Sequence, residues 1–220
     1  FSAEKINIET DKSSVRVFDK LHEEKIISKI KKAKKNGDTL GGTFFVIATG
    51  LPPGLGSFIQ YNTKLDAEIA HSVMSIHAVK GVEIGIGFGA ADLFGSQVHD
   101  EIILSKELFL RKTNRAGGIE GGISTGMPII VRAAMKPIAT LMNPLGSVDL
   151  STMKVVEARR ERSDFTAVPA CAVIAESMIA WTLAKYVIQK FGGDSMEETM
   201  DNYNNYNKKL FQRMKKNFKR

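Results

Sequence analysis

A mixed α and β fold is what this 220-residue sequence predicts. Three observations lead there. "GGTFFVIATG" is dense in β-formers, and "MPIIVRAAM" alternates in period two, as strands do. "KLDAEIAHSVMSIHAVKG" sets Leu65, Ile69, Val73 and Ile76 on one helical stripe. The segment from Val168 to Phe191 is the longest apolar run, but Glu176, Lys185 and Lys190 interrupt it. It therefore reads as a buried core helix rather than a membrane span.

The remaining elements follow in order. From Phe18 to Lys35, Leu21, Ile26, Ile27 and Ile30 loosely keep helical spacing, and "NGD" at Asn36 ends the element. "GLPPGLGS" (Gly50 to Ser57) is a rigid loop, because its two prolines bar both helix and ladder pairing. The helix that starts near Leu65 is expected to end at Gly81, with Lys80 in its last turn. In "VEIGIGFGAA", Val82, Ile84, Ile86 and Phe88 alternate with Glu83, Gly85, Gly87 and Gly89. This predicts a strand with one nearly bare face, against which another element or a ligand must pack. Gly85, Gly87 and Ala90 match the dinucleotide fingerprint in form only, since Gly95 breaks the helix that should follow.

"TNRAGGIEGGISTG" (Thr113 to Gly126) concentrates glycine, which demands either a sharp bend or a very close approach to the backbone. Beyond it, Ile129, Val131, Ala133 and Met135 share one strand face, and Ile130, Arg132, Ala134 and Lys136 the other. Two cations on that face need water or a bound anion. Ser195 and Glu198 have capping-box spacing at the start of a last, basic helix. No repeat, low-complexity tract or linker interrupts the chain. A single domain over 1–220 is expected, with a basic helical tail from about 195 to 220.

The net charge of +7 gathers in Lys29 to Lys35 and in the tail from Lys208 to Arg220. A solvated helical face is the favoured reading of both; nucleic-acid binding, for which no reader motif is present, and attraction for a small polyanionic substrate are the alternatives. The one cysteine, Cys171, excludes an internal disulfide and fits a reducing compartment, so a cytoplasmic location is expected. Its apolar neighbourhood should raise its pKa. Neither the histidines at 22, 71, 77 and 99 nor any serine motif shows metal-ligand or triad spacing. What remains is a set of glycine-rich and basic segments suited to an anion: "GLPPGLGS", "HAVKGVEIG", "TNRAGGIEGGISTG", "RAAMKPIAT" and "ARRERSD". Asp164, close to Arg159, Arg160 and Arg162, reads either as an ion-pair partner or as a proton-handling carboxylate beside an anion-binding arginine.

Taken together, these blocks resemble the carboxy-terminal part of chorismate synthase, in the same order from about Thr39 to Gly193. "GLPPGLGS" with "KLDAEIAHSVMSIHAVKGVEIGIGF", "TNRAGGIEGGISTG" with "MKP", and "RSDFTAVPACAVIAESM" are each similar to a family signature. The resemblance implies an α+β fold, a β-α-β sandwich of helices packed between antiparallel sheets, and a homotetramer. It implies a lyase that removes phosphate and a ring hydrogen from 5-enolpyruvylshikimate 3-phosphate to give chorismate, using reduced FMN. NADPH is a candidate reductant; neither nucleic acid nor a membrane is an expected partner. His77, Ala78, Gly121, the run Lys136, Pro137, Ile138, Ala139 and Thr140, and Arg162 fall where the family contacts FMN. Asp164 falls on the carboxylate proposed to handle a proton at the flavin. His77 stands where many relatives carry asparagine, which would alter a flavin hydrogen bond. The family's amino-terminal catalytic-histidine motifs have no counterpart here. A fragment, inactive alone and weak for FMN, is therefore the expectation, with a non-catalytic phosphate- or flavin-binding module as the alternative.

Overall fold

A short helix, α1 (Ala3–Asp11), precedes α2 (Lys20–Lys35), which Asp19 caps by accepting the His22 amide at 2.9 Å. The computed structural model describes residues 3–105, 108–161 and 164–217. Lys29, Lys31, Lys32, Lys34 and Lys35 all lie exposed on α2, as a solvated basic face requires. Next come β1 (Gly42–Ala48), α3 (Leu65–Met74), β2 (Val79–Ile84) and the one-turn helix α4 (Gly95–Val98). Three hairpins follow in part: β3 (Ile102–Ser105) with β4 (Leu108–Arg111), β5 (Ile119–Glu120) with β6 (Ile123–Ser124), and, beyond β7 (Ile129–Met135), β8 (Gly146–Asp149) with β9 (Lys154–Glu157). The chain closes with α5 (Val168–Phe191) and α6 (Met196–Asn217).

The hairpins are antiparallel, and the central three strands run in the order β1-β7-β2. Along β7 the alternation holds: Ile129, Val131 and Ala133 are buried while Arg132 is exposed. Arg132 does not need an anion, because its guanidinium pairs with Glu83 at 3.1 Å and stacks over the Phe45 ring. Lys136 lies one residue past the end of β7.

Two compact units emerge, each assembled from three separate stretches. One holds Phe1–Phe44, Ile76–Gly81 and Ala133–Ile174; the other holds Phe45–Ser75, Val82–Arg132 and Ala175–Arg220. Four of the five crossings fall inside β1, β2, β7 and α5, and the fifth lies in the short connection between α3 and β2, which is why no linker composition marks them. The core of the first includes Ala33, Phe44, Val79, Ala133 and Cys171, and burial pushes the Cys171 thiol up, as its apolar setting predicts. The core of the second includes Leu55, Leu65, Ile69, Val73, Ile129 and Val131. Each large aliphatic chain there contributes about 1.5–3 kcal/mol of apolar burial.

Three element expectations need correction. The first helix of the second unit ends at Met74, not Gly81, because Ala78 adopts a left-handed φ of 68° and Lys80 lies in β2. The period-two strand stops at Ile84, since Gly85 and Gly87 turn the chain with φ of 62° and 50°. Phe88, expected on the apolar face, is exposed. Finally, α5 buries only one stripe, Cys171, Ala175, Ile179, Leu183 and Tyr186, while Val173, Ile174, Trp181 and Ile188 are exposed. By length and composition alone this helix is also long and apolar enough to cross a membrane.

Candidate functional site

In the first unit, three of the anion-suited segments are tied to one another through backbone groups. After α3 the chain turns at His77 and Ala78; His77 is exposed and Ala78 holds its positive φ. The Ala78 carbonyl accepts the Lys136 amide at 2.8 Å, which places the turn beside the start of the 136–140 run. That run is irregular, with Lys136, Pro137 and Ala139 exposed and Ile138 and Thr140 half-buried. The Ile138 carbonyl accepts the hydroxyl of buried Thr39 at 2.6 Å. The next residue, Leu40, donates its amide to the Phe165 carbonyl at 2.7 Å. Thr39 and Leu40 therefore anchor both the 136–140 run and the residue after Asp164.

Asp164 itself is exposed. The ion pair that its neighbours suggested is not made with Arg159 or Arg160. Arg159 pairs with Glu161 at 3.2 Å and Arg160 with Glu157 at 3.1 Å, each satisfied by a nearer glutamate. Arg162 lies outside the described residues. Among those residues, Lys136 makes no ion pair, so its ammonium is available to an incoming anion.

Gly121 belongs to the second unit, where the glycine-rich stretch resolves into two devices. In the first, Gly117 and Gly118 are buried, and a Cβ on Gly118 would stand 2.5 Å from the Pro128 carbonyl oxygen. Their neighbour Asn114 donates to that same carbonyl at 2.8 Å and accepts the Gly118 amide at 2.8 Å. In the second, Gly121 and Gly122, with φ of 61° and 84°, form the two-residue turn between β5 and β6. Two positive φ values are the requirement of a type I′ hairpin. A Cβ on Gly122 would stand 2.8 Å from the Ser57 carbonyl, but one on Gly121 would meet nothing within 4 Å. Of these four glycines, Gly121 alone faces open space.

Sequence reasoning passed over Asp100, the carboxylate that holds this loop. It is buried and accepts the Thr113 hydroxyl at 2.5 Å, the Arg115 amide at 2.8 Å and the Ala116 amide at 2.9 Å. Burial works to raise its pKa, but those three donors and the nearby Arg111 charge prevail, and the carboxyl sits below its usual range. A lowered folded pKa means the stabilisation is full above the unfolded value, near 3.9, and is lost as pH falls through the folded value. Asp100→Asn should therefore cost about 2–4 kcal/mol at neutral pH, because an amide NH2 meets converging donors. Urea midpoints measured against pH should show the gap between the two proteins closing below about pH 3.9. A gap of equal size at pH 7 and pH 3 would contradict this origin.

The mixed helix and sheet content, and the anchored turns beside a lysine unpaired among the described residues, define an α+β protein with a candidate anion- or cofactor-receiving face. A family model for chorismate synthase matches residues 2–188. Chorismate synthase 2 of Bacillus thuringiensis (strain Al Hakam) is 51% identical over 208 residues, covering 94% of this chain and 53% of its own length. Chorismate synthase of Brevibacillus brevis is 51% identical over 206 residues, covering 93% of this chain and 53% of its own. A crystal structure of chorismate synthase superposes with a TM-score of 0.80 at 40% identity, covering 96% of this chain and 56% of the solved one. The chain belongs to the chorismate synthase family. It spans about half the length of the curated relatives it matches. The family match begins at residue 2, so it takes in α1 and α2, which lie ahead of the resembling blocks, and it stops within α5.

Proposed function

We propose that this chain supplies the flavin-facing part of a chorismate synthase, a homotetrameric, cytoplasmic lyase that converts 5-enolpyruvylshikimate 3-phosphate to chorismate. One observation carries the reading. The family's flavin-contacting segments at 77–78 and 136–140 and its carboxylate at 164 are gathered in one unit by the Ala78–Lys136, Thr39–Ile138 and Leu40–Phe165 bonds. In the first unit the groups suit FMN: an exposed ammonium, unpaired among the described residues, for an anionic group, beside backbone turns; in the second, Gly121, which falls where the family contacts FMN, has an open outer side. Reduced FMN, when bound, supplies an electron-rich ring that assists departure of phosphate, with NADPH as the candidate reductant.

The roles of the chain's own residues follow from charge and position. Lys136 holds an anionic group of the cofactor, since its fixed charge needs no reorganisation. The turn at Ala78 fixes where the Lys136 backbone sits. Asp164 holds or takes a proton through its carboxylate oxygens, with no described arginine neutralising it. Arg162 adds a second cation for cofactor or substrate.

FMN titration of this chain, alone and with the amino-terminal half of a relative supplied in trans, tests the reading. Lys136→Met should weaken FMN binding by about 10–100-fold, the scale of one charge-assisted hydrogen bond. Unaltered affinity would remove Lys136 from the site. FMN-dependent phosphate release in the mixed sample favours the lyase; tight FMN binding by this chain alone, without turnover in the mixture, favours a binding module.

A further inference from the structure

We propose that Tyr206, in α6, is a positioning residue for the β5–β6 hairpin and thereby for the flavin contact at Gly121. This rests on the assignment of Gly121 to the flavin site. Tyr206 lies beyond the segment that the family model matches, which ends at residue 188. Its phenol donates to the Pro53 carbonyl at 2.9 Å, holding the loop that carries "GLPPGLGS". The ring is fixed on two sides. Lys190 sets its Nζ 4.4 Å from the ring centroid, and Phe191 meets it edge-on at 5.6 Å. Gly54 is pressed beneath this pair, since a Cβ there would stand 2.8 Å from the phenol oxygen and 3.2 Å from Lys190 Nζ.

From that loop the linkage continues through one buried residue. Ser124 donates its hydroxyl to the Pro52 carbonyl at 2.7 Å and accepts the Leu55 amide on the same oxygen at 2.8 Å. Its backbone closes two more bonds, accepting from Gly54 and donating to Leu55, both at 2.8 Å. Ser124 pairs with Ile119 in the hairpin whose turn is Gly121 and Gly122. The linkage runs through the Tyr206–Pro53 bond, along the loop to the bonds of Ser124, and along β6 to the turn, so a hydroxyl on α6 bears on a turn it does not touch.

Tyr206→Phe deletes that hydroxyl and keeps the ring between Lys190 and Phe191. Hydrogen exchange at the Leu55 and Ser124 amides should quicken roughly five-fold, the size of one neutral hydrogen bond, with exchange along β7 unchanged. FMN binding, with the amino-terminal half in trans, should weaken by a similar factor. Unchanged exchange at Leu55 and Ser124 overturns the linkage. Faster exchange with FMN affinity intact, while Gly121→Asn still weakens FMN, overturns the positioning role and leaves the flavin assignment standing. FMN binding that is absent, or indifferent to Gly121→Asn, removes the assignment of Gly121 and this proposal with it.

Discussion

Asp164→Asn is expected to lower phosphate release in the complete enzyme by about 10²–10⁴-fold, the range that a positioned proton-transfer group contributes. FMN affinity and the unfolding midpoint should hardly move. The separation follows from what surrounds the carboxylate. Asp164 is exposed, and its neighbours Arg159 and Arg160 are already paired with Glu161 and Glu157. Neutralising it therefore strands neither of those guanidinium groups, and an exposed substitution away from caps and cores stays within about 0.5 kcal/mol in stability. The amide keeps the size of the carboxylate and one of its two acceptor oxygens, but it cannot accept a proton at neutral pH. Measuring phosphate release beside an FMN titration separates the two roles. Turnover equal to the parent protein's would exclude Asp164 from the chemistry; FMN affinity falling in step with turnover would make it a binding group instead.

The segment around Asp164 also shows what a local pattern leaves undecided: Arg159 and Arg160 pair with glutamates, and Arg162 lies outside the described residues. Three arginines within five residues invite an ion pair, yet spacing on an irregular segment does not say which glutamate reaches which arginine first. Where a regular element sets the geometry, the sequence was informative. The period-two run of β7 buries Ile129, Val131 and Ala133 as written, and α5 spans Val168–Phe191 as its apolar run predicts. Even there, the run does not tell how much of a helix is covered: Trp181 and Ile188 sit on the same apolar segment as buried Ile179 and are exposed. The end of α3 was hidden for a different reason. A left-handed alanine at 78 has no composition signal, so the apolar stripe continues in sequence past the point where the backbone leaves the helix. Ser195 gives a milder case. Its hydroxyl accepts the Glu198 amide at 3.1 Å, as the capping-box spacing predicts, but Glu198 reaches back to the Asp194 amide, not to that of Ser195.

The site divides in the same way. The glycines stand out as backbone positions that need a turn or a close approach, whereas the roles expected of Lys136 and Asp164 come from the resemblance, since neither strand alternation nor the arginine cluster decides them. Asp100 does not stand out, since its donors lie 13, 15 and 16 residues further along and converge only in the fold. Tyr206 carries no sequence signal beyond an aromatic residue on a polar helix, and its partner Pro53 is 153 residues away.

Gly121→Asn should preserve the fold and weaken FMN binding by at least about ten-fold, on the scale of the ~1–3 kcal/mol of a steric intrusion into a packed contact. Two explanations compete for the glycine at this position, and the structure allows them to be told apart. The turn explanation is sufficient by itself: φ is 61° at Gly121 and 84° at Gly122, and a type I′ turn requires both to be positive. Asparagine followed by glycine is the pair this turn prefers, so Gly121→Asn satisfies the backbone and should leave the unfolding midpoint unchanged or slightly raised. It also adds a side chain whose Cβ meets no atom of the other described residues within 4 Å. If glycine serves the turn alone, FMN affinity will not respond, and the flavin contact at Gly121 is wrong. Gly122→Ala supplies the opposite pattern. Its Cβ would stand 2.8 Å from both the Ser57 carbonyl oxygen and Lys64 Cγ, at a φ that alanine resists. That variant should lose about 1–3 kcal/mol of stability through strain and displacement of the loop. FMN titration and urea unfolding of the pair then read as a cross: affinity falls without stability at Gly121, and stability falls at Gly122. The contrast assigns one glycine to a ligand and the other to the chain itself.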